Sequence, residues 1–328
     1  MQAEVDAFCE WLLNFRSRLD FTPGSRGWCY LLENQGVIGK SDFGRMEYFI
    51  NERRKDGCLP LDFCANDEKR APENQEDLDA LTPQEYAELV AQQATDSWQQ
   101  YEPISLWEFQ PYYIEVVVEK VDLRELFKSV CAEFHVMIWN AGGWSDINSR
   151  ADILRRFREH TEEGRSCVLL YCGDFDPAGL HISGQIYQNL KALERAIGWF
   201  PDHDHDQLII DRFGLNIDFI ESHDLSWIDG LETGSGKYNL EDRNHPDHDK
   251  PYVQTYLKQY GAKKVEANAL VAHYEAGRQL CREAIEKYID LDGIGKYHKR
   301  VATQRLEVKK RLPVALKAVL NGDNGRAR

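Results

Sequence analysis

The chain has 328 residues, of which 42% are hydrophobic and 29% charged, with a net charge of −15 at pH 7. That length accommodates two domains with buried cores, and no apolar run approaches the roughly 18–20 residues of a membrane span. The charge argues against a protein whose whole surface is a basic nucleic-acid face, while leaving room for a local basic groove and for a bound cation that inverts the local field.

The opening MQAEVDAFCEWLLNF is acidic and amphipathic, without the basic start or small-residue cleavage site of a signal peptide. A cytoplasmic chain with no membrane partner is therefore expected. The cysteines at 9, 29, 58, 64, 131, 167, 172 and 281 form no C-x-x-C pair. They read as reduced, buried thiols rather than a zinc knuckle or redox motif.

Apolar residues Val5, Phe8, Trp11, Leu12, Phe15 and Leu19 recur at helical spacing, predicting a helix over 2–19. Ser25 caps a second helix over 26–35, and Ser41 or Asp42 a third over 43–55, stopped by Gly57. Three short helices followed by CLPLDF suggest a helix-turn-helix or winged-helix unit over residues 1–70. The third helix carries Arg45, Arg53, Arg54 and Lys55, the densest basic cluster of this third, which is either a DNA-binding face or a solvated one. An acidic, Pro-punctuated linker with one helix over 83–93 occupies 71–105.

From 106 to 328 strands and helices alternate. Strands are predicted at 112–119, 135–139, 166–174 and 206–213, and helices at 123–134, 147–163 and 178–197. Near-continuous apolar strands in a β-α-β-α-β-α-β order give an α/β domain with a mainly parallel sheet. Further helices are expected at 252–260, 270–288 and 297–320, with KKVEA strand-like between the first two.

Two acidic sites end apolar strands. Glu119 closes VVVEK, and GDFDPAG places Asp174 and Asp176 directly after VLLYC. In open α/β sheets functional groups collect beyond the carboxyl ends of strands. Three hard carboxylates with neither His nor Cys favour Mg²⁺, one or two ions per site, held partly by water and substrate phosphate. ETGSGKY (232–238) lacks the Walker A spacing and its Ser or Thr, so ATP chemistry would need another polypeptide. PDHDHD (201–206) and HPDHD (245–249) read as solvated loops. The basic stretch KYHKRVATQRLEVKKR reads equally as a DNA contact or a solvated helix face.

VVVEK followed by GDFDPAG resembles the Toprim domain of the topoisomerase VI A-subunit family. That family includes the meiotic double-strand-break transesterase and the phage- and plasmid-borne mini-A proteins. GGWSDINS (142–149) falls where the family has a Gly- and Ser-bearing loop. VEANAL (265–270) resembles its VELDAL segment, with Asn268 in place of the usual Asp. SRGWCYLL presents Arg26 and Tyr30 at the spacing of the family's Arg and nucleophilic Tyr, on a winged-helix domain before Toprim.

The resemblance implies Mg²⁺-dependent cleavage of double-stranded DNA by a homodimer. Tyr30, assisted by Arg26, would attack phosphate together with the metal that Glu119, Asp174 and Asp176 hold in the other copy of the dimer, with a separate ATPase subunit as a possible partner. This reading also expects Tyr30 to be open to solvent. Two others stand beside it: a Toprim nuclease that uses water, with Tyr30 a core aromatic beside Trp28, Leu31 and Leu32, and a non-catalytic winged-helix DNA-binding protein.

Overall fold

The structure, a computed structural model, describes residues 2–65, 81–140, 147–201, 207–232 and 239–321. In chain order the helices and strands are α1 (Gln2–Arg16), α2 (Ser25–Asn34), α3 (Phe43–Lys55), α4 (Pro83–Asp96), β1 (Tyr112–Val118), α5 (Val121–Glu133), β2 (Met137–Asn140), α6 (Ile147–Glu162), β3 (Ser166–Cys172), α7 (Pro177–Leu180), α8 (Ile182–Lys191), α9 (Glu194–Ile197), β4 (Leu208–Gly214), α10 (Ile217–Ser222), β5 (Ile228–Asp229), α11 (Pro251–Tyr260), β6 (Lys263–Lys264), α12 (Tyr274–Glu286) and α13 (Leu291–Leu320). No helix among the described residues is long and apolar enough to cross a membrane. All eight cysteines are free, and all but the half-buried Cys58 are buried.

The chain divides into two compact units, Met1–Glu68 with Tyr112–Tyr288, and Lys69–Pro111 with Ile289–Arg328. The first is built on a four-stranded, wholly parallel sheet in the order β2-β1-β3-β4. The central strands β1 and β3 are buried along nearly their whole length, as their apolar runs require. Helices α5 and α12 pack together on the sheet, and α6 packs with α8 against β3 and β4. The chain leaves β1 toward β2 and then returns to the other side of β1 as β3. The switch point of the sheet therefore lies between the carboxyl ends of β1 and β3, where ligand crevices form in such folds.

One buried charge interrupts β1. Glu115 is fully buried and accepts from Arg156 at 2.7 and 3.0 Å, Tyr113 at 2.9 Å and Trp139 at 2.6 Å. With its charge paired and its lone pairs occupied, the carboxylate is tolerated in the core.

The N-terminal helices share a core made by Cys9, Leu12, Trp28, Leu31, Leu32, Ile50, Leu59 and Phe63, together with Val271 from a 3₁₀ segment at Ala267–His273. Trp28 stacks on Phe63 at 4.4 Å and donates to its carbonyl. At the start of α2 the backbone N–H of Gly24 donates to the buried Asp122 on α5, and a Cβ at Gly24 would run into that carboxylate. Residues 2–65 are helical and contain no strand, so this segment supplies the expected three helices without a wing.

In the second unit, Thr82 and Glu85 form a capping box that starts α4, with Pro83 in the first turn. Segment 101–110 is tied to the start of α13. Gln110 exchanges two hydrogen bonds with the Asp290 backbone (2.7 and 3.0 Å), Arg305 donates to the Tyr101 carbonyl (2.9 Å), and Tyr297 donates to Glu102.

Candidate active site

Glu119 follows β1 directly, and Asp174 lies two residues beyond β3, at the sheet's switch point. Glu119 is held against the partner strand. Its N–H donates to the Cys172 carbonyl (3.0 Å), and its Oε2 accepts from the Asp174 N–H (3.0 Å) and the Tyr171 hydroxyl (3.3 Å). Asp174 is buried, with Oδ1 accepting from the Ala267 N–H at 2.8 Å. Asp176 caps α7, its Oδ1 accepting from the Gly179 N–H at 2.6 Å. The two glycines of GDFDPAG permit this closeness. A Cβ on Gly173 would strike Glu119 Oε2 and the Tyr171 ring, and one on Gly179 would overlap the Asp174 carbonyl oxygen.

Lys120 bridges the first two carboxylates, its Nζ lying 2.9 Å from both Glu119 Oε1 and Asp174 Oδ2. Burial opposes the charge of each of these groups. For Glu119 the charge of Lys120 and the donors around it outweigh burial and hold the carboxyl below its ordinary value. Asp174 goes the other way, pushed up to about 6 by burial and by the charge of Glu119. Burial also raises Asp176, with Glu119 adding to the effect. Two carboxylates thus share Lys120, while Asp176 is not paired with it and feels the charge of Lys264 before that of Lys120.

Among the described residues no three His, Cys, Asp or Glu side chains are grouped so as to hold a metal ion. The donor chemistry at the switch point nonetheless fits a hard divalent cation, since Glu119 and Asp174 already converge on one cation, the Lys120 ammonium. Nearby, Asn268 is buried with its side-chain oxygen unpaired, one residue from the N–H that holds Asp174.

The loop carrying the aspartates is fixed from two sides. Arg212 on β4 donates to the carbonyls of Gly179 (2.9 Å), Asp174 (3.1 Å) and Leu215 (2.8 Å). From the other side, Phe175 pairs with Val265 in both directions (2.9 and 3.1 Å), and the Tyr256 hydroxyl donates to the carbonyls of Phe175 and Lys263. Segment 263–268 therefore lies along the DFD loop and carries Glu266 with it.

Glu266 joins the second candidate group. Tyr30 donates its hydroxyl to Glu266 Oε2 at 2.8 Å, and Arg26 donates to the same oxygen at 3.2 and 3.3 Å. Arg26 and Tyr30 stand one turn apart on α2, which is why both reach one carboxylate. Tyr30 is only 2% exposed, against the expectation of an open side chain. Its ring packs edge-on against Phe43 (5.0 Å), and the Lys40 ammonium lies 3.9 Å from the ring centroid. Burial and the Glu266 charge raise the phenol, so it is neutral, while burial lowers Lys40 to about 8. Tyr30 also lines a half-open cavity of about 250 Å³ with Glu33, Asn34, Ser226 and His273.

On α3, Arg45 is exposed and pairs with Asp42 (3.1 Å), and Lys55 is exposed and pairs with Glu52 (2.6 Å). Arg53 is largely covered and paired with Asp56, while Arg54 donates to the Leu61 carbonyl and so holds the turn after the helix. Most of GGWSDINS, PDHDHD and ETGSGKY lies outside the described residues.

Lys120, Arg212 and Glu266 were not singled out from sequence. Lys120 and Glu266 stand inside VVVEK and VEANAL, whereas Arg212 carries no local signal. No family model, curated protein or solved structure matches the chain.

Proposed function

We propose that this chain cuts double-stranded DNA with Mg²⁺ held by Glu119, Asp174 and Asp176, with Tyr30 as the attacking group. The observation that carries the reading is the convergence of Glu119 and Asp174 on one cation at the switch point of a parallel sheet. Mg²⁺ at these carboxylates would polarise a phosphodiester and stabilise the leaving oxygen. Arg212 and Gly179 keep the aspartate loop rigid, and Lys120 supplies positive charge for a phosphate. Tyr30 is linked to the same place in the same chain, because Glu266 precedes the residue whose N–H holds Asp174.

In this reading the sheet is a Toprim-type domain, and the N-terminal helices are the helical part of a winged-helix unit that meets DNA through the exposed Arg45 and Lys55. Two copies would supply the two cuts of a double-strand break, and an ATPase subunit would be a separate chain. The burial of Tyr30 favours a second reading, in which the same carboxylates serve a nuclease that activates water.

Asp176→Ala tests the metal centre common to both. It should abolish Mg²⁺-dependent cleavage of supercoiled plasmid at a stability cost of about 1 kcal/mol, that of a lost helix cap. Undiminished cleavage by this variant, or equal cleavage in EDTA, overturns the proposal.

A further inference from the structure

Among the acidic side chains of the described residues, Glu266 is the one that the Tyr30 hydroxyl bonds. We infer that Glu266 is the proton acceptor for Tyr30, a role that rests on the reading of Tyr30 as the nucleophile. The geometry is that of a general base, with the phenol hydroxyl 2.8 Å from Glu266 Oε2 and the carboxylate fixed by Arg26 at 3.2 and 3.3 Å. The charged groups around the phenol are Arg26 on α2, Lys40 on the turn before α3, Glu47 on α3, Glu33 at the end of α2, Glu266 itself and, at longer range, Asp174. Of these, Glu266 is the one that the hydroxyl bonds.

In the attack, the Tyr30 oxygen bonds to phosphorus while its proton passes to Glu266 Oε2. The bridging P–O bond to the leaving deoxyribose breaks, and that oxygen takes a proton from water. Glu266 then returns its proton to the hydroxide so formed, leaving a phosphodiester between DNA and tyrosine, a free deoxyribose hydroxyl and no net change in protons. Arg26 makes the base responsive to substrate. It is the most solvent-exposed member of the group (38% of its side chain) and pairs with Glu266. A phosphodiester that draws Arg26 toward itself removes the counter-ion that weakens Glu266 as a base.

The test uses the full chain, Mg²⁺ and supercoiled plasmid, with the rate of covalent protein–DNA adduct formation as readout. Glu266→Gln keeps an oxygen for the phenol and cannot accept its proton. The adduct rate should fall about 100-fold or more at neutral pH, and the deficit should narrow as rising pH lets hydroxide take the proton. Glu266→Asp keeps the charge for Arg26 and should retain an intermediate rate with a pH profile shaped like that of wild type. It carries the test if the Gln variant loses its fold, and an Asp variant showing a large, pH-independent deficit then overturns the role. A Glu266→Gln rate equal to wild type, or a deficit independent of pH, also overturns the role and leaves the tyrosine mechanism standing. Wild-type protein that cuts DNA without a protein-linked end overturns the mechanism beneath it.

Discussion

At the scale of single residues, the candidate metal and tyrosine side chains lie in two groups, linked through the neighbours Glu266 and Ala267. Glu119 and Asp174 were legible because each ends an apolar strand, and strand ends are where an α/β sheet gathers polar groups. Glu266 stands in VEANAL, where nothing local marks it out from its neighbours. Its partner Tyr30 lies 236 positions earlier, a contact that no local pattern encodes. The burial of Tyr30 was equally hidden, since Phe43 and Lys40 reach it from another helix and its preceding turn. Tyr30→Phe keeps the ring and removes one hydrogen bond to a carboxylate that Arg26 continues to neutralise. Its stability should fall by about 1–2 kcal/mol, measured by urea denaturation. A loss beyond about 3 kcal/mol would identify the hydroxyl as a structural anchor of α2.

At the scale of elements, the strands and most helices follow from pattern, and the departures have local causes. The helix expected over 178–197 is three pieces, α7, α8 and α9, broken at His181 and Leu193, where the backbone flattens (ψ of 5° and −3°). The helix expected to begin at 270 is preceded by a 3₁₀ segment, Ala267–His273, whose first five residues are all buried between other elements. Tertiary packing, not propensity, sets that geometry. Of the four cations on α3, only Arg45 and Lys55 are exposed, each paired with a neighbouring carboxylate. Arg45→Glu with Lys55→Glu should weaken DNA binding uniformly across sequences and reduce the slope of log affinity against log salt by about 2. An unchanged slope would remove α3 from the interface.

At the scale of the molecule, the acidic linker helix and the C-terminal helix belong to one compact unit, although about 200 residues of sheet domain separate them. Amphipathic pattern could place both helices but could not pair them. The pH dependence of stability can be traced to particular groups. His160 stacks on Tyr113 at 3.7 Å, and its Nδ1 accepts from Arg165, so the folded ring is neutral. Burial, with Arg165 and Arg156 beside it, lowers its pKa from 6.5 to about 4. A depressed pKa means that the contribution to stability is whole above 6.5 and lost as pH falls through 4. Asp174 has the opposite sign, favouring the fold while protonated and losing that contribution as pH rises through about 6. His160→Gln should therefore narrow the fall in thermal midpoint between pH 6.5 and 4. Parallel curves for variant and wild type would contradict the assignment.

The most direct measurement is of the DNA end itself. End-labelled duplex is incubated with the full chain and Mg²⁺, denatured in detergent, and run on a gel with and without protease. The account predicts cleaved DNA that migrates as fragment only after protease, that disappears with Asp176→Ala, and whose protein link disappears with Tyr30→Phe. Intact DNA under all these conditions would contradict it.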